Sequence, residues 1–439
     1  MKSKSLDPEI IKRSEHNVSR KDISSAALKV LYRLDKAGYQ AFLVGGSVRD
    51  AILNLNPKDF DVATNATPEE VRSLFSNCRL IGRRFRLAHI RFGREIIEVA
   101  TFRAAAMNNT DDLTLDIKGR ILRDNVYGKI NEDAWRRDFT CNALYYNIKD
   151  SSIWDYVGGY KHIIQKRIVF IGDPIQRVHE DPVRMLRAVR FASKLKLSID
   201  TNVVQAITAN SNLLSNVPAA RLFDEFLKLF HSGNSKATFD LLLKYNLFCE
   251  LFPETEKELS CEKGFLDFIH AALQNSDERV ATSKSVTPMF LLGVFLWMPI
   301  KRLAEKKIVS EKISLSQALN IAAYEVVSNQ QKNISLPKRF TIPMREMLSL
   351  QPRFKITRGK RALNFSNHRR FRAAYDFMIL LSKVGKVDKS LAKFWTDIQK
   401  QSKKEKLISF KINKGFKGKR KSIKTDMKVD IKKSKKNES

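Results

Sequence analysis

Residues 41–64 read AFLVGGSVRDAILNLNPKDFDVAT, and this stretch decides the architecture. Ala41 to Val44 is a short apolar run that fits a buried strand. Gly45-Gly46-Ser47 makes a tight turn, and a helix restarts over Val48 to Leu55. Asp59-Phe60-Asp61-Val62 reads as a second strand. Residues i and i+2 of a strand share a face, so Asp59 and Asp61 are expected to point the same way, with Phe60 turned into the core. Two carboxylates held that close repel each other, and a divalent cation relieves the repulsion. Mg²⁺ suits such a pair because it takes carboxylate and phosphate oxygens together. Just upstream, the strand–Gly-Gly-Ser–helix unit presents backbone N–H groups at a helix N-terminus, which accepts a phosphate. Either feature alone is common; the two at this spacing are specific.

Working outward, Ile23, Ala26, Ala27, Val30, Leu31 and Leu34 recur at helical spacing and predict a helix over 23–39. Thr67-Pro68-Glu69-Glu70 is a helix start, with Thr67 as N-cap, Pro68 first in the helix and Glu70 completing a capping box. His89 to Phe92 and Ile96 to Phe102 read as paired strands around Gly93-Arg94. Asn142 to Ile148 and Ser152 to Tyr156 read as a further hairpin. Residues 180–192 read as one helix with Glu180, Asp181 and Pro182 in its first turn, where acids suit the helix dipole. Val183, Leu186, Val189 and Ala192 form its buried stripe. Glu180, Arg184 and Arg187 share a neighbouring face, which spacing alone equally assigns to a salt-bridged solvent face. From about residue 160 strands fade and helical segments run to about 400. The fold class is therefore α+β, a small mixed sheet flanked by helices and followed by all-α segments.

Charge is the outlier in composition. Lys and Arg total 80 against 47 acids, a net of +33 with a pI near 10.0. Such an excess attracts polyanions and gains from counterion release, so nucleic acid is the leading partner and an anionic membrane surface the rival. Residues 401–439 hold 15 Lys and Arg against 4 acids, and are expected to form a disordered basic tail. Cys78, Cys141, Cys249 and Cys261 form no C-x-x-C pair, which argues against zinc-ribbon and thioredoxin readings. Scattered thiols suit a reducing compartment. The polar N-terminus does not read as a secretory signal. The most apolar run, Met289 to Ile300, falls well short of the roughly 20 residues of a membrane span. The expectation is a soluble cytoplasmic protein.

LVGGSVRD at Leu43–Asp50 followed by KDFDV at Lys58–Val62 resembles the class II nucleotidyltransferases of the polymerase β superfamily, the family of bacterial poly(A) polymerases and CCA-adding enzymes. The resemblance continues in order through Glu98–Arg103 (EVATFR), Arg136–Thr140 (RRDFT), Tyr156–Gly159 (YVGG) and Glu180–Phe191 (EDPVRMLRAVRF), and so covers residues 40–195. It implies that Asp59 and Asp61 hold two Mg²⁺ ions, or Mn²⁺ in their place, and that Asp138 is the third acidic group of the site. It further implies a nucleotide bound by Gly45, Gly46, Ser47, Arg49 and Arg137, with Glu180, Asp181, Arg184 and Arg187 facing the base. The implied division is a basic flexible leader (1–22), a catalytic domain (23–158), a nucleotide-recognition neck (159–235), a helical RNA-binding domain (236–400) and the tail.

Three features resemble the poly(A) polymerase branch of the family. GRRFRLAH at 82–89 is similar to its form of that segment. The Arg-rich run from Leu336, with RGKRAL at 358–363 and FRAAYD at 371–376, is similar to its C-terminal part. There Arg339, Arg353, Arg358, Arg361, Arg369 and Arg370 could follow an RNA backbone without reading sequence. The basic tail offers a further nonspecific grip. The implied activity is template-independent addition of AMP from ATP to RNA 3′ ends with release of pyrophosphate, in the service of RNA turnover. Proteins of RNA decay are implied partners. A CCA-adding tRNA nucleotidyltransferase is the alternative, and a noncatalytic RNA-binding protein the second. No chemistry is assigned to His89, and Phe60 and Phe139 are expected in the core.

Overall fold

The structure is a computed structural model of the chain, and it describes residues 7–82, 86–104, 113–115, 121–124 and 126–411. Within the 82–89 segment, residues 83–85 lie outside the described residues. The chain divides into two compact units, residues 1–349 and 350–439. This boundary falls inside the stretch 236–400 that the sequence reads as one helical domain.

The first unit begins with β1 (Glu9–Ile11), α1 (Ser25–Lys36), β2 (Ala41–Val44), α2 (Gly46–Ile52), β3 (Asp61–Thr64), α3 (Pro68–Leu74), β4 (Cys78–Ile81), β5 (Leu87–Phe92) and β6 (Glu95–Thr101). A small hairpin of β7 (Leu113–Leu115) and β8 (Ile121–Asp124) precedes α4 (Ile130–Arg136), β9 (Leu144–Asn147) and β10 (Ile153–Asp155). Eight strands form one sheet in the order β1-β10-β9-β2-β3-β6-β5-β4. All neighbours are antiparallel except β3 and β6, which run parallel. β2 is buried along its length because it is central and covered on both faces. On one face lie Ala26, Ala27, Val30, Leu31 and Leu34 of α1. On the other, Phe42, Val44, Ala63, Phe102, Ala134 and Tyr145 form a continuous cluster that includes α4.

Several expectations hold. The helix expected over 23–39 forms as α1, with Ser24 as its cap, and Thr67 with Glu70 closes the expected capping box on α3. Phe60 and Phe139 are buried, and Met289 to Ile300 lies buried inside a helix. Other expectations need correction. The second strand begins at Asp61, not Asp59. β2 ends at Val44, opposite Asp61, so Asp59 and Phe60 have no β2 ladder partner. The leader is not flexible throughout: β1 adds to the sheet edge on β10, and Val18 is fully buried.

The helix expected over 180–192 is two helices. After α5 (Gly159–Ile164) and the strand β11 (Arg167–Ile168), α6 (Pro174–Glu180) ends at Asp181 and α7 (Val183–Leu195) begins after Pro182. Proline has no N–H to continue the ladder, and it pushes the residue before it into extended backbone, as seen at Asp181 with φ −150° and ψ 96°. β12 (Ser198–Ile199) then pairs with β11.

The rest of the first unit is helical, with α8 (Thr201–Asn210), α9 (Ala219–Phe230), α10 (Ser235–Lys244), α11 (Phe248–Leu251), α12 (Pro253–Cys261), α13 (Phe265–Ala281), α14 (Pro288–Glu311), α15 (Leu315–Gln330) and α16 (Lys338–Ser349). Phe226, Phe230, Phe239, Phe248 and Phe252 gather around Phe295 of α14 at centroid distances of 5.1–6.2 Å. The second unit packs α17 (Gly359–Ser366), α18 (Phe371–Lys383), α19 (Lys389–Lys400) and α20 (Lys403–Ser409) around Trp395. Of the stretch 401–439 expected as a disordered tail, residues 401–411 are structured, and 412–439 lie outside the described residues. Ser402 caps α20, and Phe410 is fully buried beside Trp395 at 5.9 Å while its carbonyl accepts from Gly359 N at 2.8 Å.

Candidate active site

The site grows from the end of β2. The chain must leave the sheet at Val44, and Gly45 does so at φ 78° and ψ −133°, a conformation that a side chain would strain. A Cβ at Gly45 would stand 3.7 Å from Asp61 Oδ2 and 3.8 Å from Arg137 Nη1. The bare backbone of Gly45 therefore lies between a carboxylate and a guanidinium. α2 starts at Gly46, two residues earlier than the sequence predicts. The Ser47 hydroxyl donates to the Val44 carbonyl at 3.2 Å and is buried, so it fastens the turn from inside.

Asp61 opens β3, and the parallel register sets Glu98 of β6 beside it. Burial pushes the Asp61 carboxyl up to about 6 from an ordinary 3.8, with Glu98 and Asp59 adding to the rise and Arg137 opposing it. Asp59 is exposed just before the strand. His89 Nε2 stands 3.2 Å from Glu98 Oε1, which accounts for His89 as a strand residue paired with an acid. Among the described residues no three His, Cys, Asp or Glu side chains converge as a metal site. A carboxylate whose charge is this unwelcome, with a second acid close enough to worsen it, fits a divalent cation held by Asp59 and Asp61.

Arg49 and Arg137 differ in placement. Arg49 is only 3% exposed. It donates through Nε and Nη2 to Asp50 Oδ1 at 2.8 and 2.6 Å, through Nη1 to Asn142 Oδ1 at 2.6 Å, and lies over the Phe191 ring at 5.1 Å. Arg137 is held by Asp133 Oδ2 at 2.9 Å from Nη2, by the Tyr145 hydroxyl at 3.1 Å from Nε and by the Asn142 carbonyl at 3.3 Å from Nη1, and this same Nη1 lies beside Gly45. Asp133 is a residue that sequence reasoning misses. Burial works to raise its carboxyl, but Arg137 and the Tyr145 hydroxyl outweigh that and hold it below its ordinary value. Its signal was its place four residues before Arg137 on one helix face.

Asp138 is turned toward α7. Its Oδ2 accepts from Arg187 Nε at 2.7 Å, and its Oδ1 from Phe139 N at 2.9 Å and Asn142 Nδ2 at 3.2 Å. Burial opposes ionisation there, but Arg187 and these donors keep the carboxyl below its ordinary value. Asn142 thus joins Asp138 to Arg49, and its carbonyl takes Arg137. Glu180 accepts from Arg177 Nη1 at 2.8 Å and Arg184 Nη1 at 2.7 Å. Asp181 accepts from Val183 N at 3.2 Å and from Arg221 Nη2 at 2.7 Å. Arg177, also missed in the sequence, donates to the carbonyls of Arg136 and Arg137. Asn142 therefore links Arg49, Arg137 and Asp138, and Arg177 links Glu180 and Arg184 to the backbone of Arg136 and Arg137.

The six arginines expected to follow RNA are split between the units. Arg339 is exposed on α16, its guanidinium 4.9 Å from the Phe340 ring. Arg353, Arg358, Arg361 and Arg369 are exposed on the second unit, and Arg370 is half-buried.

Comparisons with known proteins point to one family. The family described as Poly A polymerase head domain matches residues 41–169, the Polymerase A arginine-rich C-terminus matches 311–426, and the Probable RNA and SrmB-binding site of polymerase A matches 196–259. The chain is 46% identical over 398 residues to poly(A) polymerase I of Escherichia coli O157:H7, covering 89% of this chain and 85% of that protein. It is 42% identical over 402 residues to poly(A) polymerase I of Haemophilus influenzae, covering 90% and 88%. The CCA-adding enzyme of Lactobacillus helveticus is 32% identical over 276 residues, covering 59% and 66%. In fold, the chain is similar to the Thermotoga maritima CCA-adding enzyme complexed with tRNA (TM-score 0.57, 19% identity, 93% and 88% covered). It is similar also to the Bacillus stearothermophilus CCA-adding enzyme in complex with CTP (TM-score 0.54, 22% identity, 87% and 84% covered). With this identity sustained over most of its length, the chain belongs to the poly(A) polymerase family.

Proposed function

We propose that this chain is a polynucleotide adenylyltransferase that adds AMP from ATP to RNA 3′ ends without a template and releases pyrophosphate. The observation that carries the reading is Asp61, a carboxylate raised to about 6 beside Asp59 and next to the open backbone of Gly45 and the guanidinium of Arg137. Asp59 and Asp61 would hold Mg²⁺, two ions or Mn²⁺ in their place. Bound there, the metal supplies acidity to the RNA 3′-hydroxyl and neutralises charge on the leaving pyrophosphate.

The chain's own residues do the rest. Gly45 lets a phosphate approach the backbone, and Arg137, fixed by Asp133 and Tyr145, meets its charge. Arg49 acts from inside, holding Asn142 and with it the turn that carries Asp138. Glu180, Asp181, Arg184 and Arg187 face the base, and the exposed arginines and basic tail hold RNA by its backbone. The segments 23–158, 159–235 and 236–400 serve in turn catalysis, nucleotide choice and RNA contact. The natural setting is the cytoplasm, where the products feed RNA decay.

Supplying each nucleotide separately, to a generic RNA and to a tRNA lacking its CCA end, tests the reading. Long adenylate tails on both RNAs are expected. CTP-dependent addition that stops after a few residues would make the protein a CCA-adding enzyme. No metal-dependent incorporation on any RNA would leave it an RNA-binding protein.

A further inference from the structure

One side chain spans the gap between the RRD turn and the helix pair α6–α7. Arg177 sits on α6 with its side chain 12% exposed. Its Nη1 donates to Glu180 Oε2 at 2.8 Å, and its Nη2 donates to the carbonyls of Arg136, at 3.0 Å, and of Arg137. Those two carbonyls close α4 and immediately precede Asp138, where a cation meets the negative end of the helix dipole. On the other side, Arg184 Nη1 donates both to Glu180 Oε2 and to the backbone carbonyl of Arg177, each at 2.7 Å. Arg184 and Glu180 are therefore referred to Arg177, and Arg177 to the backbone that carries Arg137 and Asp138. From α7, Arg187 ties to the same turn through Asp138, and the Phe191 ring packs edge-on against Phe139 at 5.2 Å.

We propose that Arg177 is a positioning residue for nucleotide selection: its fork sets the distance between the base-facing Glu180–Arg184 pair and the phosphate-facing Arg137. The inference rests on the reading of Glu180 and Arg184 as base contacts. The reason is geometric. The acceptors of Arg177 lie on two separate elements, and a planar guanidinium reaches both from one rigid group, whereas an ammonium is a single point donor. Loss of the fork leaves every base-facing residue present but free to shift against the phosphates. A shift of that kind falls on discrimination between bases, which depends on a few polar contacts in register.

The test is single-nucleotide addition to one RNA by the full chain, with kcat/KM measured separately for ATP and CTP. Arg177→Ala is expected to lower the ATP-to-CTP ratio by about tenfold or more. Arg177→Lys, which keeps the buried charge, is expected to lose most of the same preference. The ratio is the informative quantity because any loss of folded enzyme scales both rates equally and cancels. Equal losses for ATP and CTP in both variants, with the ratio within about twofold of the unsubstituted enzyme, would overturn the proposal and leave Arg177 a purely structural tie. An unsubstituted enzyme with no preference for ATP would instead contradict the functional reading itself.

Discussion

The two halves of the site are built on opposite electrostatic plans. On the sheet side, burial lifts the Asp61 carboxyl to about 6, and the charges of Glu98 and Asp59 add to the rise. On the helix side, each acid has a cation: Asp138 has Arg187, Glu180 has Arg177 and Arg184, Asp181 has Arg221, and Asp133 has Arg137. Folding alone completes the helix side. The sheet side keeps a net charge that only something from outside relieves, and a cation bound with a nucleotide phosphate is the chemistry that does so. The contrast teaches where to look for function in this chain. The paired charges hold the helix side in shape, and the Asp61 carboxylate is the group that folding leaves in want of a cation.

Breaking the complete half should cost the most stability. Arg187→Ala strands the Asp138 carboxylate, which is 16% exposed, and is expected to destabilise the protein by about 3 kcal/mol in denaturant unfolding. Adding Asp138→Ala should recover part of that loss, because no buried charge is then left unpaired. A single variant as stable as the unsubstituted protein would contradict the pairing.

The incomplete half should respond in the opposite sense. Asp61 titrates near 6 in the folded chain and near 3.8 when unfolded. Below the lower value both states are protonated, and no difference arises. As pH rises through the folded value, the native state must accept an unfavourable charge, so its stability falls relative to that at acid pH. Without divalent ions, Asp61→Asn should therefore be more stable than the unsubstituted chain at pH 8, by about 2 kcal/mol, with the gap closing below pH 4. Adding Mg²⁺ should stabilise the unsubstituted chain and not the variant. A gap that widened toward acid would refute the assignment.

The smallest expected effect lies in the tail. Truncation after residue 411 removes 11 basic and 3 acidic residues. It should weaken RNA binding several-fold at low salt, flatten the salt dependence and leave kcat unchanged. A changed kcat with unchanged salt slope would place the tail in catalysis.

The same contrast explains what could be read from sequence. The β2–Gly-Gly–α2–β3 unit, the Thr67 capping box and the β5–β6 hairpin rest on neighbours in the chain, where local pattern decides. β1 could not be read, because its partner β10 is some 140 residues away. The break at Asp181-Pro182 was masked by side-chain spacing, which stays helical across it: Glu180 and Arg184 still meet although they sit on two helices. Ser47 and Arg49 look like phosphate ligands in the motif, yet both are buried and bonded inward, where they hold the turn in shape. Asp133 precedes Arg137 by one helical turn, but its second partner, Tyr145, comes from β9, and Arg177 bonds two backbone carbonyls that no motif marks. Phe410 sits in a basic run whose local pattern carries no sign of the core it forms with Trp395.

The most direct test of the account is a time course of AMP incorporation by the Asp59→Ala/Asp61→Ala variant, with ATP, Mg²⁺ and a generic RNA, beside a measurement of RNA binding. The account predicts adenylate tails from the unsubstituted chain, none from the variant, and similar RNA affinity for both. A double variant that still makes tails at full rate would contradict it.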